Sequence, residues 1–447
     1  MRFQLIDQIG SHVKAGFSFF ATRRFFPLFG TQFLGAFNDN LLKTAIVVLI
    51  SFHGLSLAGL PPEQLVNLAA GVFILPFFLF SATAGKLSER YDKAVIARWI
   101  KLAEIAIMLL AGAGFFLHSA GLLLSALFLM GAHSAFFGPL KYSVLPQYLK
   151  ENELVGGNGL IEMGTFLAIL IGQIGGSMLT TGGPLLITAT LLATAVLGYG
   201  ASRAMPPAQP GAPKLKLSFN FLKDSVLLMR DAWRIRDVRC AILGISWFWL
   251  MGAVYTTQLP TFTRLHLGGD AGVYTLLLAL FSIGIGLGSV VCAKLSQGRL
   301  QLGMVLVGSV GMTLFGGDLA LSALPYYRGE LIGLADFLAR AGSWRNMIDV
   351  ALLGFFGGFF TVPLYTWLQT ASPDDFRSQA VAANNIANGF YMVAAAIGSA
   401  LALKFYDSIA ILLLATAALN ILATLHLLSA APVIWRQRMD WLRALRG

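Results

Sequence analysis

The stretch GKLSERYDK at 85–93 joins one apolar run at 65–85 to another at 95–117, and a near copy, AKLSQGR at 293–299, again follows an apolar run, at 271–295. A spanning helix needs about 20 predominantly apolar residues. Working outward from these two loops, further runs of that kind fall at 27–52, 120–146, 156–180, 183–202, 240–264, 302–324, 347–370, 385–405 and 408–432, twelve spans in all. The chain has 447 residues, of which 57% are hydrophobic and only 12% charged, with a mean hydropathy of +0.73. Soluble domains carry about 25% charge. The composition therefore excludes a large soluble enzyme and reads as an all-α polytopic membrane protein.

The one sharp break in composition lies between the sixth and seventh runs. Pro206, Pro207, Pro210 and Pro213 mark a linker, and the basic residues after it place an amphipathic helix over 219–236 at the lipid headgroups. The expected organisation is an amphipathic surface segment at 1–26, six helices over 27–203, the linker at 204–238, six helices over 239–432, and a basic tail at 433–447. Residues 1–22 lack the continuous apolar core of a signal peptide. The net charge of +11 is distributed unevenly. With both termini inside, only Arg264, Arg328, Arg340, Arg345 and Lys404 fall outside, and Lys43 and Lys141 fall within spans; every other Lys and Arg is cytoplasmic, as the positive-inside rule requires. The two cysteines, Cys240 and Cys292, suggest neither a disulfide framework nor a metal site.

The halves repeat beyond the loop motif. LGAFND at 34–39 is echoed by MGAVYT at 251–256. At an offset of 226, Asn158, Glu162, Thr165, Gly172 and Gly176 correspond to Asn384, Asn388, Tyr391, Gly398 and Ala402, each set lying along one helical stripe. Two parallel six-helix halves with matching polar stripes predict a secondary transporter.

The intramembrane polar residues are the candidate binding set. Asp39 lies roughly 18 Å into the first span, about 12 residues at 1.5 Å each. Lys43 follows one turn later, and Gln32 shares their face. A charge at that depth costs at least ~2.5–3.5 kcal/mol and faces a partner or a cavity. Asp39 and Lys43 either neutralise each other or form a dipolar site for a ligand headgroup. Glu162, one turn after Asn158, either joins a binding surface or pairs with a loop cation. His133, Phe137 and Lys141 run along one face of the fourth span; Lys141 either snorkels or meets an anion, and His133 reads as a packing residue or a ligand contact. Tyr255 and Gln258 in the seventh span, with Asn384 and Asn388 in the eleventh, complete the set. Arg98, Lys101 and Glu104 read as a structural ion network. Gly172 with Gly176 and Gly284 with Gly288 read as helix-packing pairs. At the end of the second span Gly85, Glu89, Arg90 and Lys93 place an acid and a base where they can pair with neighbouring helix ends and part on opening, which makes a gate.

Catalytic signatures are missing: no GxSxG, Walker loop or HExxH occurs, and His266 and Asp270 are too close for an HxxxxD acyltransferase motif. No cofactor is expected, and nothing beyond basicity suggests nucleic acid.

The six-plus-six layout and the GKLSERYDK loop resemble the major facilitator superfamily, although Asp92 stands where that family usually has glycine. FLGAFNDNLLKTA at 33–45 and LPQYLKENELVGGNGLIEMGTF at 145–166 are similar to segments of bacterial lysophospholipid transporters and of transporter–acyltransferase fusions. The resemblance implies two pseudo-symmetric six-helix bundles of the major facilitator fold in a monomer of the bacterial inner membrane. It also implies flipping of lysophospholipids such as lysophosphatidylethanolamine to the inner leaflet, where a cytoplasmic acyltransferase reacylates them. Carried onto this chain, Asn38, Asp39 and Asn40 form the headgroup site, with Lys141 a candidate phosphate partner. The cation the resemblance places in span seven is absent; Tyr255, Thr256, Thr257 and Gln258 stand there. The alternative is a proton-coupled exporter of an amphipathic small molecule, such as a drug or siderophore, with Asp39 or Glu162 carrying the proton. A non-transporting membrane scaffold is a third reading, which the polar stripes disfavour.

Overall fold

The computed structural model describes residues 17–57, 59–218 and 220–441. Most of the expected surface segment at 1–26 and the tail cations Arg443 and Arg446 lie outside the described residues. The rest is helical, with no β-strand among the described residues.

Twelve long helices correspond to the twelve apolar runs. In chain order they are α1 (Phe26–Phe52), α2 (Pro62–Arg90), α3 (Lys93–Phe116), α4 (Ala120–Ser143), α5 (Leu154–Thr181) and α6 (Pro184–Arg203), then α8 (Arg236–Phe262), α9 (Ala271–Leu295), α10 (Gly303–Ser322), α11 (Ser343–Ala371), α12 (Arg377–Tyr406) and α13 (Ile409–Ala430); α7 (Phe221–Arg234) lies between the sets. Eleven of these are long and apolar enough to cross a membrane by composition. The twelfth, α3, carries Arg98, Lys101 and Glu104, yet its 24 residues span about 36 Å at 1.5 Å per residue. Helix starts follow local chemistry. Prolines occupy the first turn of α1, α2 and α6, where a missing N–H costs nothing. Asp92, Ser119, Asp270 and Ser408 cap α3, α4, α9 and α13 through their side-chain oxygens. Two boundaries differ most from expectation: α12 begins at Arg377, eight residues before the apolar run at 385–405, and α2 runs on past its apolar run. α2 continues through Arg90, so Gly85, Glu89 and Arg90 sit on a helical turn rather than in a loop, and Lys93 is the first residue of α3.

The chain divides into two compact units. The first comprises the residues through Glu153, then Leu167–Ile235 and Gln369–Gly389; the second comprises Leu154–Phe166, Arg236–Leu368 and Phe390 onward. Each unit thus takes a short segment from the other half of the chain, and the division cuts α5 after Phe166 and α12 after Gly389.

In the first unit an apolar core built from Leu41, Leu42, Ile46, Leu127, Met130 and Leu191 unites α1, α4 and α6. α5 reaches α1 through two glycines: a Cβ on Gly172 would sit 2.6 Å from the Phe37 carbonyl oxygen, and one on Gly176 2.7 Å from that of Leu41. In the second unit α9 and α11 approach in the same way. Side chains at Gly284 or Gly288 would overlap the carbonyl oxygens of Ala351 and Phe355, and on the facing helix a Cβ on Gly358 would lie 2.7 Å from the Ile285 oxygen. In a lipid solvent, where apolar surface gains little from leaving the tails, such backbone proximity supplies the dispersion contact that holds helices together.

α7 docks against α2. Phe221 meets the Phe80 ring edge-on at 5.3 Å, Ser225 Oγ donates to the Phe78 carbonyl at 3.1 Å, and Lys86 Nζ lies 2.9 Å from Asp224. Leu222, Val226, Lys223, Arg230 and Arg234 face away, wholly or partly exposed.

Candidate functional site

The polar turn of α1 is the starting point. Asn38 is wholly buried and Nδ2 donates to Glu104 Oε1 at 2.8 Å and to the Leu191 carbonyl at 3.2 Å. Asn40 folds back onto its own helix, donating to the Ala36 carbonyl at 2.8 Å. Asp39, between them, is half-buried; Oδ2 accepts from Ser134 Oγ at 2.6 Å, while Oδ1 is shielded from solvent and has no hydrogen-bond partner. Lys43, one turn on, does not form an ion pair with Asp39. Its ammonium lies 5.4 Å from the centre of the Phe73 ring on α2, a cation–π contact.

Beneath Asn38 lies a buried cluster of charges. Lys101 Nζ lies 2.6 Å from Glu104 Oε2, and His133 Nε2 lies 3.1 Å from the same oxygen. Lys101 also faces the Phe137 ring at 5.5 Å, and His133 stacks nearly parallel on Phe137. Room for the lysine comes from Gly35 and Gly198, whose Cβ atoms would lie 2.7 and 3.4 Å from Nζ. Arg98, expected in this network, instead donates to the Met205 carbonyl at 3.5 Å. His133, on the neighbouring helix α4, takes its place as the second nitrogen on the Glu104 carboxylate.

The remaining candidates are spread along both units. Lys141 lies two turns along α4 from His133, about 12 Å by helical rise, with its ammonium 4.8 Å from the Tyr142 ring. Asn384 and Asn388 belong to the first unit; both are buried, and neither polar atom of the Asn384 side chain finds a hydrogen bond. In the second unit Asn158 donates to Thr366 Oγ1 at 3.0 Å and Glu162 is buried. Tyr255 and Gln258 line a cavity of about 10 Å³, room for roughly one water, enclosed mainly by Leu259, Phe262, Phe281 and Leu353. Thr256 bonds its own helix at the Gly252 carbonyl.

At the gate motif, Glu89 accepts from the backbone N–H of Ser378 in the first turn of α12, where the helix dipole favours an anion. Lys93 Nζ lies 3.9 Å from the same carboxylate. Gly85 permits the approach: a Cβ there would stand 3.1 Å from the Gln379 Cα. Arg90 turns away and donates to the Leu215 carbonyl at 3.2 Å.

Alongside this geometry, the Major Facilitator Superfamily family model matches residues 28–396. The chain belongs to the major facilitator superfamily. It is a multi-pass membrane transporter. Lysophospholipid transporters LplT are similar in sequence: that of Cronobacter sakazakii is 28% identical over 347 residues, covering 76% of this chain and 78% of its own, and that of an Enterobacter species is 29% identical over 354 residues, covering 76% and 78%. Among solved structures, the human organic anion transporter MFSD10 superposes with a TM-score of 0.70 at 13% identity, covering 90% of this chain and 99% of its own. The Escherichia coli fucose:proton symporter FucP gives 0.66 at 13%, covering 91% and 98%. At such identities these two likenesses show the major facilitator fold alone.

Several partners of the candidate residues lay outside the binding set read from the sequence. Ser134 holds Asp39, and a serine in an apolar span gives no sign of its partner. Glu104 and Lys101 reach Asn38 and His133, a link that their i, i+3 spacing hints at only for each other. Thr366 holds Asn158. In the second unit Asn420 gathers Trp247 Nε1 at 2.7 Å, the Ser309 carbonyl at 3.0 Å and Thr313 Oγ1 at 2.8 Å into a polar knot between α8, α10 and α13.

Proposed function

We propose that this transporter moves lysophospholipids, with lysophosphatidylethanolamine as the type substrate, from the outer to the inner leaflet of a bacterial inner membrane by alternating access. Both termini then face the cytoplasm, and a cytoplasmic acyltransferase restores the second acyl chain of the delivered lipid. The observation that carries this reading is the pair Asp39 and Lys43. They share a face one turn apart, where Cβ atoms stand about 5–6 Å from each other, yet neither neutralises the other. An ethanolamine head is a zwitterion whose ammonium and phosphate are separated by two methylenes and an ester oxygen. Its ammonium suits the Oδ1 of Asp39 that lacks a partner, and its phosphate suits the Lys43 ammonium, which a ring face stabilises without consuming its donors. The sequence similarity to proteins named lysophospholipid transporters supports the same cargo. With Tyr255 to Gln258 uncharged, the cation for the phosphate comes from the first half of the chain.

The test is reconstitution into liposomes with fluorescent lysophosphatidylethanolamine. The label is expected to change leaflet without an imposed pH gradient, and Asp39→Asn is expected to slow it. No movement of the label, together with proton flux coupled to another solute, overturns the assignment in favour of a proton-coupled exporter.

A further inference from the structure

Residues 205–215, between α6 and α7, contain four prolines and no regular helix. Such a segment has few backbone donors and a stiff, extended habit, so a loose tether is the simple expectation. It is instead tied down along its length. The Met205 carbonyl accepts from Arg98, that of Pro206 from the Tyr148 hydroxyl and that of Gln209 from Gln147 at 3.1 Å. The Ala208 N–H donates to Asp92 Oδ1 at 3.2 Å, the Ala212 N–H to the Glu89 carbonyl at 2.9 Å, and the Leu215 carbonyl accepts from Arg90. Asp92 therefore does two things: it caps α3 at Ala94 N, 2.7 Å away, and it holds the linker. Between these ties Gly211 presses against the gate. A Cβ there would overlap Glu89 Oε2 and stand 2.6 Å from the Asp374 carbonyl oxygen. Glu89 is the same buried carboxylate that accepts from Ser378.

We infer that the linker is a strap over the Glu89–Ser378 contact, that strap and contact form and release together, and that Asp92 is the positioning residue which anchors the strap. The physical reason is water. With Gly211 seated, the carboxylate meets the α12 N-terminus in a dry, low-dielectric setting, where a charge-assisted hydrogen bond is strong. With the strap lifted, water reaches Glu89 and competes for it. The linker thus sets the gate's opening equilibrium, and it does so whatever cargo the transporter carries.

The test uses the purified full chain in detergent. Trypsin cleavage at the exposed Lys214 and Lys216 reports the strap. Maleimide labelling of Ser378→Cys reports the gate, since Ser378 is buried and Cys240 and Cys292 are buried too. Gly211→Ala and Asp92→Gly are each expected to raise both rates by about tenfold, the response to a shift of about 1.4 kcal/mol. Asp92→Asn, which keeps an acceptor oxygen, is expected to stay near the parent. Faster cleavage without faster labelling overturns the coupling, and unchanged rates in both readouts overturn the strap itself. Should Asp92→Gly fail to fold through loss of the α3 cap, Gly211→Ala, which leaves that cap intact, decides the matter.

Discussion

Lys101 Nζ lies 2.6 Å from Glu104 Oε2 with both side chains sealed from solvent, and the other oxygen of that carboxylate holds Asn38, the residue before Asp39. The polar turn of α1 is thereby fixed from below by a charge pair that never reaches the surface, while Asp39 itself is held from the side by Ser134.

Breaking that pair from one end leaves the buried Glu104 carboxylate with only Asn38 and His133 against it. Lys101→Met is expected to destabilise the protein by up to about 3–5 kcal/mol, because it removes the cation that offsets most of the carboxylate's desolvation penalty. Lys101→Met with Glu104→Gln removes both charges and keeps an acceptor for Asn38, so it is expected to recover most of the loss. Denaturant or thermal unfolding in detergent, comparing single and double variants, measures this.

Asp39→Asn keeps an acceptor for Ser134 and removes the charge. Translocation of labelled lysophosphatidylethanolamine is expected to fall by at least about tenfold, or about 1.4 kcal/mol, with unchanged expression and elution profile. Ser134→Ala deletes one hydrogen bond, worth about 1 kcal/mol, and is expected to slow transport severalfold less than Asp39→Asn does. Initial rates in proteoliposomes across a range of lipid concentrations separate the two.

The α9–α11 contact sets a strict limit on side-chain size. Gly288→Ala would place a methyl into the Phe355 carbonyl, a backbone atom that cannot swing aside. The expected cost is about 1–3 kcal/mol from overpacking, whereas Gly252→Ala, with open space around it, is expected to be neutral. Thermal shifts of the two variants, purified side by side, check the contrast.

Cys240 and Cys292 are both buried, and Cys292 packs its sulfur against Met304 at 3.4 Å. Neither thiol is expected to react with a membrane-permeant maleimide in the folded protein, and both are expected to react after denaturation in dodecyl sulfate. Intact-mass measurement before and after denaturation reads the outcome directly.

The spans and their order were legible in the sequence because each depends on neighbouring residues, in apolar runs of bilayer length. The glycine pairs at 172/176 and 284/288 were legible for the same reason, since their spacing marks one helix face. The linker's character was not legible, for a run of prolines says that a segment is stiff but not what it lies on. Partners across helices were the least legible part. His133 rather than Arg98 completes the Lys101–Glu104 cluster, Ser134 rather than Lys43 takes the hydrogen bond of Asp39, and Asp92 reaches Ala208, far along the chain.

What the sequence by itself determined, then, is a chain of twelve spanning helices in two repeating sets with charges set deep in the first span, because helical periodicity and hydropathy are local properties. Only the tertiary structure decided which of those charges are consumed. A helix's rotation and its depth against its neighbours choose the partner of each buried polar atom, and that choice left Asp39 and Lys43 side by side, unpaired with each other.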